Sequence, residues 1–106
     1  MDKLLNFLGL CRRAGKLTTG NDAVTETVEK GEAKAVITAS DISPNTEKKL
    51  LKTCQAYGVK LIKLNRTKEE ISFAVGRLTA VASVTDSGFA QNIQRLNENE
   101  TGGNSV

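Results

Sequence analysis

The sequence predicts an α/β fold in which a mixed, mostly parallel four-stranded sheet lies between layers of helices. Two observations predict it. Segments with apolar residues at helical spacing alternate along the chain with short runs of small apolar residues that suit strands. A glycine follows most of the helical segments, where a left-handed turn ends a helix. The 106 residues are one domain's length of chain, and aromatics are only 4%, so the core must be built from Leu, Ile, Val and Ala. A single domain is expected over residues 1–96, with a flexible polar tail over 97–106.

Residues 1–14 read as the first helix. Leu4, Leu5, Leu8 and Cys11 share a stripe widened by Phe7 and Leu10, and Arg12 and Arg13 suit the negative end of a helix before Gly15 stops it. The short strand Leu17-Thr18-Thr19 follows. Gly20 turns the chain into a second helix over residues 21–30, with Ala23, Val24 and Val28 inward, Thr27 beside them, and Gly31 at the end. Residues 34–39 are a continuous small-apolar run, as in a strand covered on both faces. Ser43 is the expected N-cap and Pro44 the first residue of a third helix that runs to Tyr57. Leu50, Leu51, Cys54 and Tyr57 form its apolar face, Lys48, Lys49 and Lys52 point mostly away, first as a solvated face and alternatively as RNA-binding cations, and Gly58 caps it.

Residues 59–64 make a third strand whose lysines put part of it at an edge. A fourth helix covers residues 67–75, opened by Thr67, with Ile71, Ala74 and Val75 inward and Gly76 closing it. Arg77-Leu78-Thr79 is a tight connector into a fourth strand over residues 80–84. Asp86 or Ser87 caps a last helix, in which Phe89, Ile93 and Leu96 share a face, and the polar, Gly-rich residues 97–106 form the tail.

Composition narrows the function. Charged residues are 25% and the net charge is +3, a mild basic bias that permits nucleic-acid binding without requiring it. No apolar run approaches the roughly 20 residues of a membrane span, and the start of the chain carries no secretory pattern. A cytoplasmic setting is expected, with Cys11 and Cys54 as free thiols buried on their apolar stripes. There is no His and no CxxC, so neither a metal nor another cofactor is expected. No glycine-rich nucleotide pattern exists, and no base stands beside either cysteine, so the chain is not expected to be an enzyme. Asp41 ends the second strand, where open α/β sheets bind ligands, but the simpler role is to order the turn before Pro44.

Two segments suit binding. The first, Arg12-Arg13-Ala14-Gly15-Lys16-Leu17-Thr18-Thr19-Gly20-Asn21-Asp22, joins three cations, a glycine turn and a helix start. Amides at a helix N-terminus attract phosphate, and nearby cations add sequence-independent attraction. A plain strand-to-helix turn fits the same residues equally well. The second, Gly76-Arg77-Leu78-Thr79, comes near the first if both lie at one end of the sheet. There Arg can contact phosphate and an exposed Leu can pack on a flipped base, although a simple connector would look the same.

Four stretches carry a resemblance: Leu8-Gly9-Leu10-Cys11-Arg12-Arg13-Ala14-Gly15-Lys16; Thr19-Gly20 through Glu29-Lys30-Gly31; Ala39-Ser40-Asp41-Ile42-Ser43-Pro44-Asn45-Thr46; and Val84-Thr85-Asp86-Ser87-Gly88-Phe89-Ala90. Together they resemble the kink-turn RNA-binding ribosomal proteins of the large-subunit L7Ae/L30e group, in particular its small bacterial YlxQ-like branch. The likeness spans about residues 3–96. It implies an L30e-like three-layer α/β/α sandwich and a non-catalytic RNA-binding protein of ribonucleoprotein type. Such a protein would be associated with the ribosome and would recognise structured, kink-turn-like RNA.

The resemblance also implies which residues meet RNA. The turn entering the second helix would do so, helped by the loop between the fourth helix and the fourth strand. In the family, the second helix reads sheared G·A pairs with an Asn-Glu pair and a Lys one turn later. Counted from Gly20 to Gly31, those positions fall on Asp22, Ala23 and Glu26; shifted by one, they fall on Asn21, Asp22 and Thr25. The basic member is missing in both registers, and Glu26 and Glu29 make this helix face acidic. Arg13, Lys16 and Arg77 are expected on phosphate, Gly20, Asn21 and Asp22 at base edges, and Leu78 and Thr79 against an unstacked base, with Thr19 also among the RNA-binding residues. The alternative is a protein-interaction module of the same fold with degenerate reading residues. A small-molecule enzyme working at the strand ends near Asp41 is the least supported reading.

Overall fold

Nine elements alternate through the chain in the computed structural model, which describes residues 2–102. They are α1 (Lys3–Arg13), β1 (Leu17–Thr19), α2 (Asn21–Glu29), β2 (Ala35–Thr38), α3 (Pro44–Tyr57), β3 (Leu61–Lys63), α4 (Lys68–Val75), β4 (Val81–Val84) and α5 (Ser87–Gly102). Local chemistry sets most of the boundaries. Asp2 accepts the amide of Leu5 at 3.0 Å, and Ser43 accepts that of Thr46 at 3.2 Å ahead of Pro44. Thr67 and Glu70 form a reciprocal capping box at the start of α4. Of the two candidates for the last cap, Asp86 is the one used, accepting from Phe89 N–H at 2.9 Å.

The sheet has the order β1-β4-β2-β3. It is mixed, as expected, but only the β2–β3 pair is parallel; β4 runs antiparallel to both of its neighbours. The expectation of a mostly parallel sheet is therefore corrected. The small apolar residues of β2 and β4 reflect burial on both faces, which helices on both sides impose whatever the strand direction. β3 is an edge strand with Lys63 exposed, consistent with its cations.

Side chains alternate between two apolar layers. On one face, Ala35, Ile37 and Ala82 pack beneath α1 (Leu4, Leu8, Cys11), α4 (Ile71, Val75) and α5 (Ala90, Ile93). On the other, Val36 and Val81 pack beneath α2 (Val24, Val28) and α3 (Leu50, Cys54). The second layer contains hydroxyls, and Thr27 Oγ1 bridges Ser83 Oγ at 2.8 Å and the Val24 carbonyl at 2.7 Å.

Three helix faces differ from the sequence reading. Ala23 is exposed and Thr27 takes the inward place beside Val24 and Val28. Leu51 and Tyr57 are about half exposed because α3 packs chiefly on α2 and reaches the core only through Leu50 and Cys54. The last helix does not stop at Leu96. It continues through residues 97–102, where Gln94 donates to Glu98 at 2.9 Å one turn on and Asn97 reaches the Lys63 carbonyl at 3.5 Å. The rest of the expected tail, residues 103–106, lies outside the described residues. Among the described residues no helix is long and apolar enough to cross a membrane.

Both cysteines are free and buried. Burial pushes the Cys11 thiol from the ordinary 9.0 up to about 11. Above pH 9 the unfolded chain therefore loses a proton that the folded chain keeps, so this thiol lowers stability as the pH rises from about 9 toward 11. Denaturant titrations at stepped pH should show that decline in the native chain and a shallower one in Cys11→Ala. A neutral-pH thiol reagent should label neither cysteine until the chain unfolds.

Candidate nucleic-acid interface

The register of the sheet brings the two candidate loops together. Thr19 pairs with Ala82, so the chain leaves β1 beside the residues that enter β4. Gly20 N–H then donates to Thr79 Oγ1 at 3.3 Å. The same hydroxyl donates to the Val81 carbonyl at 2.5 Å, and the Thr79 amide donates to Ser72 Oγ at 3.0 Å. One buried threonine thus ties the entry to α2, the start of β4 and the body of α4. Gly20 makes the turn possible: its φ of 95° and ψ of 143° lie in a region that only glycine occupies without strain.

An open cleft of about 420 Å³ lies above this clasp, with Gly20, Asn21, Asp41, Lys68 and Leu78 in its walls. The first intrahelical bond of α2 runs from Val24 N–H to the Gly20 carbonyl, and no side chain caps this helix. The amides of Asn21, Asp22 and Ala23 therefore precede the helical ladder at an exposed end. Such amides can hold an anion or a carbonyl-type acceptor on a base. A second groove, of about 290 Å³, shares Asn21 and runs between α2 and α3 past Asp22, Thr25 and Lys49. Leu78 stands 77% exposed at the tip of the α4–β4 loop, a large apolar side chain presented to solvent.

The charge of the rim is mixed. Lys68 shares the cleft with Asp41 and Lys49 shares the second groove with Asp22, while Arg77 precedes Leu78 on the loop; all three cations are exposed and form no ion pair among the described residues. The Asp41 carboxylate accepts the amide of Lys68 at 2.7 Å and so ties the loop before Pro44 to the first residue of α4. Glu26 pairs with Lys30 at 2.6 Å, and that hydrogen bond holds its carboxyl below the usual range, so it stays ionised. Among the described residues no cluster of His, Cys, Asp or Glu could hold a metal ion.

The other expected contact residues fall elsewhere. Lys16 sits at the opposite end of β1, where its carbonyl accepts from Thr85 N–H, roughly 13 Å along the strand from Gly20. Arg13 lines a separate groove between α1 and α4. Thr19 is half-buried on the sheet face that carries Leu17, and Thr79 is only 5% exposed with its hydroxyl engaged, so Thr79 presents no free surface. Sequence reasoning passed over Lys68, which reaches the cleft because Asp41 draws the start of α4 to it. It also passed over Phe73, which is 91% exposed.

Comparison with known proteins gives the arrangement a context. The model of the ribosomal protein L7Ae/L30e/S12e/Gadd45 family matches residues 2–94. The chain is 35% identical over 96 residues to the RNA-binding protein YlxQ of Enterococcus faecium, covering 91% of this chain and 92% of that protein. It is 34% identical over 91 residues to YlxQ of Bacillus subtilis (strain 168), covering 85% and 90%. The solved structure of a protein of unknown function from Bacillus halodurans C superposes with a TM-score of 0.86 at 32% identity, covering 92% of this chain and 99% of that one.

The clasp can be tested by removing its hydroxyl. Thr79→Val keeps the side-chain shape but leaves the Gly20 amide without its acceptor, and should cost roughly 1–3 kcal/mol. Gly20→Ala should cost about 1–3 kcal/mol through backbone strain, although its Cβ meets nothing within 4 Å. Urea denaturation measures both. In the Thr79→Val variant, faster amide exchange at Gly20 would identify the lost bond.

Proposed function

The chain belongs to the ribosomal protein L7Ae/L30e/S12e/Gadd45 family, and from that premise we propose that it is a non-catalytic protein of the bacterial cytoplasm that binds structured, kink-turn-like RNA in association with the ribosome. The observation that carries the proposal is the Gly20–Thr79 hydrogen bond. It joins an uncapped helix start and an exposed leucine into one open cleft. Phosphate contacts would position the RNA, and amides and side chains at the helix start would meet base edges. Arg77, Lys68 and Lys49 are the cations for the first task. The Gly20-Asn21-Asp22 turn serves the second, and Leu78 packs against an unstacked base. Thr19 and Thr79 hold the loops in place, and Lys16 and Arg13 lie outside this footprint.

The acidic second helix shapes the recognition. Asp22 and Glu26 are acceptors, so they can hydrogen-bond amino groups of bases but repel phosphate. Lys49, across the groove from α2, places a cation beside a helix that has no free basic residue in its first two turns. The same acidity favours a second reading, a protein-interaction module of this fold. The two readings separate in a pull-down: partners that persist after nuclease treatment support the second, and partners lost with the RNA support the first.

Gel-shift titrations with kink-turn and ribosomal RNA fragments test the main reading. Three phosphate contacts should weaken binding roughly 20- to 40-fold between 50 and 200 mM salt. Arg77→Ala should lower the slope of log affinity against log salt by about 1. Absence of any complex below micromolar protein at low salt would refute RNA recognition by this cleft.

A further inference from the structure

We propose that the groove between α1 and α4 is a stacking site for an unpaired nucleotide flanking the structured RNA, with the Phe73 ring as its platform and Arg13 as its cation. This rests on the RNA-binding reading and extends it to a second contact. Phe73 is the starting point. It lies on α4 with 91% of its surface in solvent, the most exposed large apolar side chain of the described residues. Its neighbours on the helix, Ile71 and Val75, fill the core. An aromatic ring standing alone in water stabilises nothing in the fold, and aromatic rings beside cations are a recurrent surface for unstacked bases.

The groove beside the ring is built by a close helix crossing. Gly9 faces α4, and a Cβ there would come within 3.0 Å of the Ala74 carbonyl and 3.5 Å of Arg13 Nη1. Glycine therefore lets α1 approach α4, and the Arg13 guanidinium folds over that crossing. The resulting groove, of about 390 Å³, is lined by Arg13, Phe73, Leu5, Asn6 and Asp2. Arg12 does not compete for a ligand, because its Nη1 donates to the Val75 carbonyl at 3.2 Å. Arg13 makes no hydrogen bond or ion pair among the described residues, so its guanidinium is free to stack on a base or meet a phosphate.

The groove is separate from the RNA cleft, and helix α4 with the loop that follows it links the two. The amide of Arg77 donates to the Ser72 carbonyl at 3.1 Å, which puts the α4–β4 loop against the residue next to Phe73. A strand whose base packs on Leu78 would pass Arg77 and reach Phe73 with an unpaired base further along. Charge sets the direction. Glu69, one turn before Phe73 on the same helix face, forms no ion pair among the described residues, so the sugar–phosphate backbone lies on the Arg77 and Arg13 side. Asp2 is already held by Arg66 at 2.7 Å and by the Leu5 amide, which leaves it little effect on the ligand.

The experiment uses the full chain and two RNAs that share one internal-loop stem: one blunt, the other with a short single-stranded extension carrying 2-aminopurine, made in 5′ and 3′ versions. The native chain should bind one extended version roughly 5- to 150-fold more tightly than the blunt stem and quench its fluorescence. Phe73→Ala and Phe73→Leu should lose the gain and the quenching while still binding the blunt stem, Phe73→Tyr should keep both, and Arg13→Ala should reduce the gain. Equal binding of blunt and extended RNA by the native chain would overturn the stacking site and leave the cleft reading intact. Failure to bind either RNA would overturn both. A Phe73→Leu variant that behaves like the native chain would show that the face needs only apolar area, as a protein contact would, and would also overturn the proposal.

Discussion

Strand β4 is the constraint on which the rest of the molecule depends. It enters between β1 and β2 and runs antiparallel to both, so its residues must be small enough to lie under helices on each side. Val81, Ala82, Ser83 and Val84 meet that demand, with Ser83 satisfied by Thr27 in the apolar layer. Because β4 runs against β1, the segment that enters β4 emerges beside the segment that leaves β1. The antiparallel register is therefore what seats Thr79 under Gly20. A parallel neighbour would have put the α4–β4 loop at the other end of the sheet, roughly a strand's length away.

That placement gives one end of the molecule its character. The end combines backbone amides that no side chain caps, an exposed leucine, and cations carried by three different elements: Arg77 on a loop, Lys68 on α4 and Lys49 on α3. Acidic groups interleave with them, and the geometry disposes of each one differently. Asp41 is consumed in tying the start of α4, Glu26 is held by Lys30, and Asp22 remains at the helix start. A surface of this kind has weak long-range attraction and many short-range donors and acceptors. Shape and hydrogen bonding would then dominate over bulk charge, in keeping with a net charge of only +3.

The elements were legible where a local rule governs them. Ser43 before Pro44, Thr67 with Glu70, and Gly58 and Gly76 in left-handed conformation at helix ends are decided within four residues of sequence, and each stands where its chemistry puts it. The stripe on α1 was legible for the same reason, since 3.6-residue periodicity needs no partner to be seen. Tyr57 and Leu51 were misplaced because apolar spacing shows which residues could share a face but not how wide a face the neighbouring element covers. The polar run after Leu96 reads as a tail in sequence because it lacks apolar residues. Its helix is instead supported by a contact one turn apart and by Asn97 on the Lys63 carbonyl.

Of the candidate site, the sequence alone determined the ingredients: a glycine at a strand-to-helix turn, a connector with Arg77 and Leu78, and the four stretches that carry the family resemblance. These are properties of residue type and spacing, which the chain holds before it folds. The tertiary structure decided which ingredients meet. It joined Gly20 to Thr79 across 59 residues of chain, drew Lys68 in through Asp41, sent Lys16 to the far end of β1, and left Phe73 in solvent beside Arg13. The physical reason is that strand order and direction are settled by the burial of whole faces against one another, and no short window of sequence contains that information.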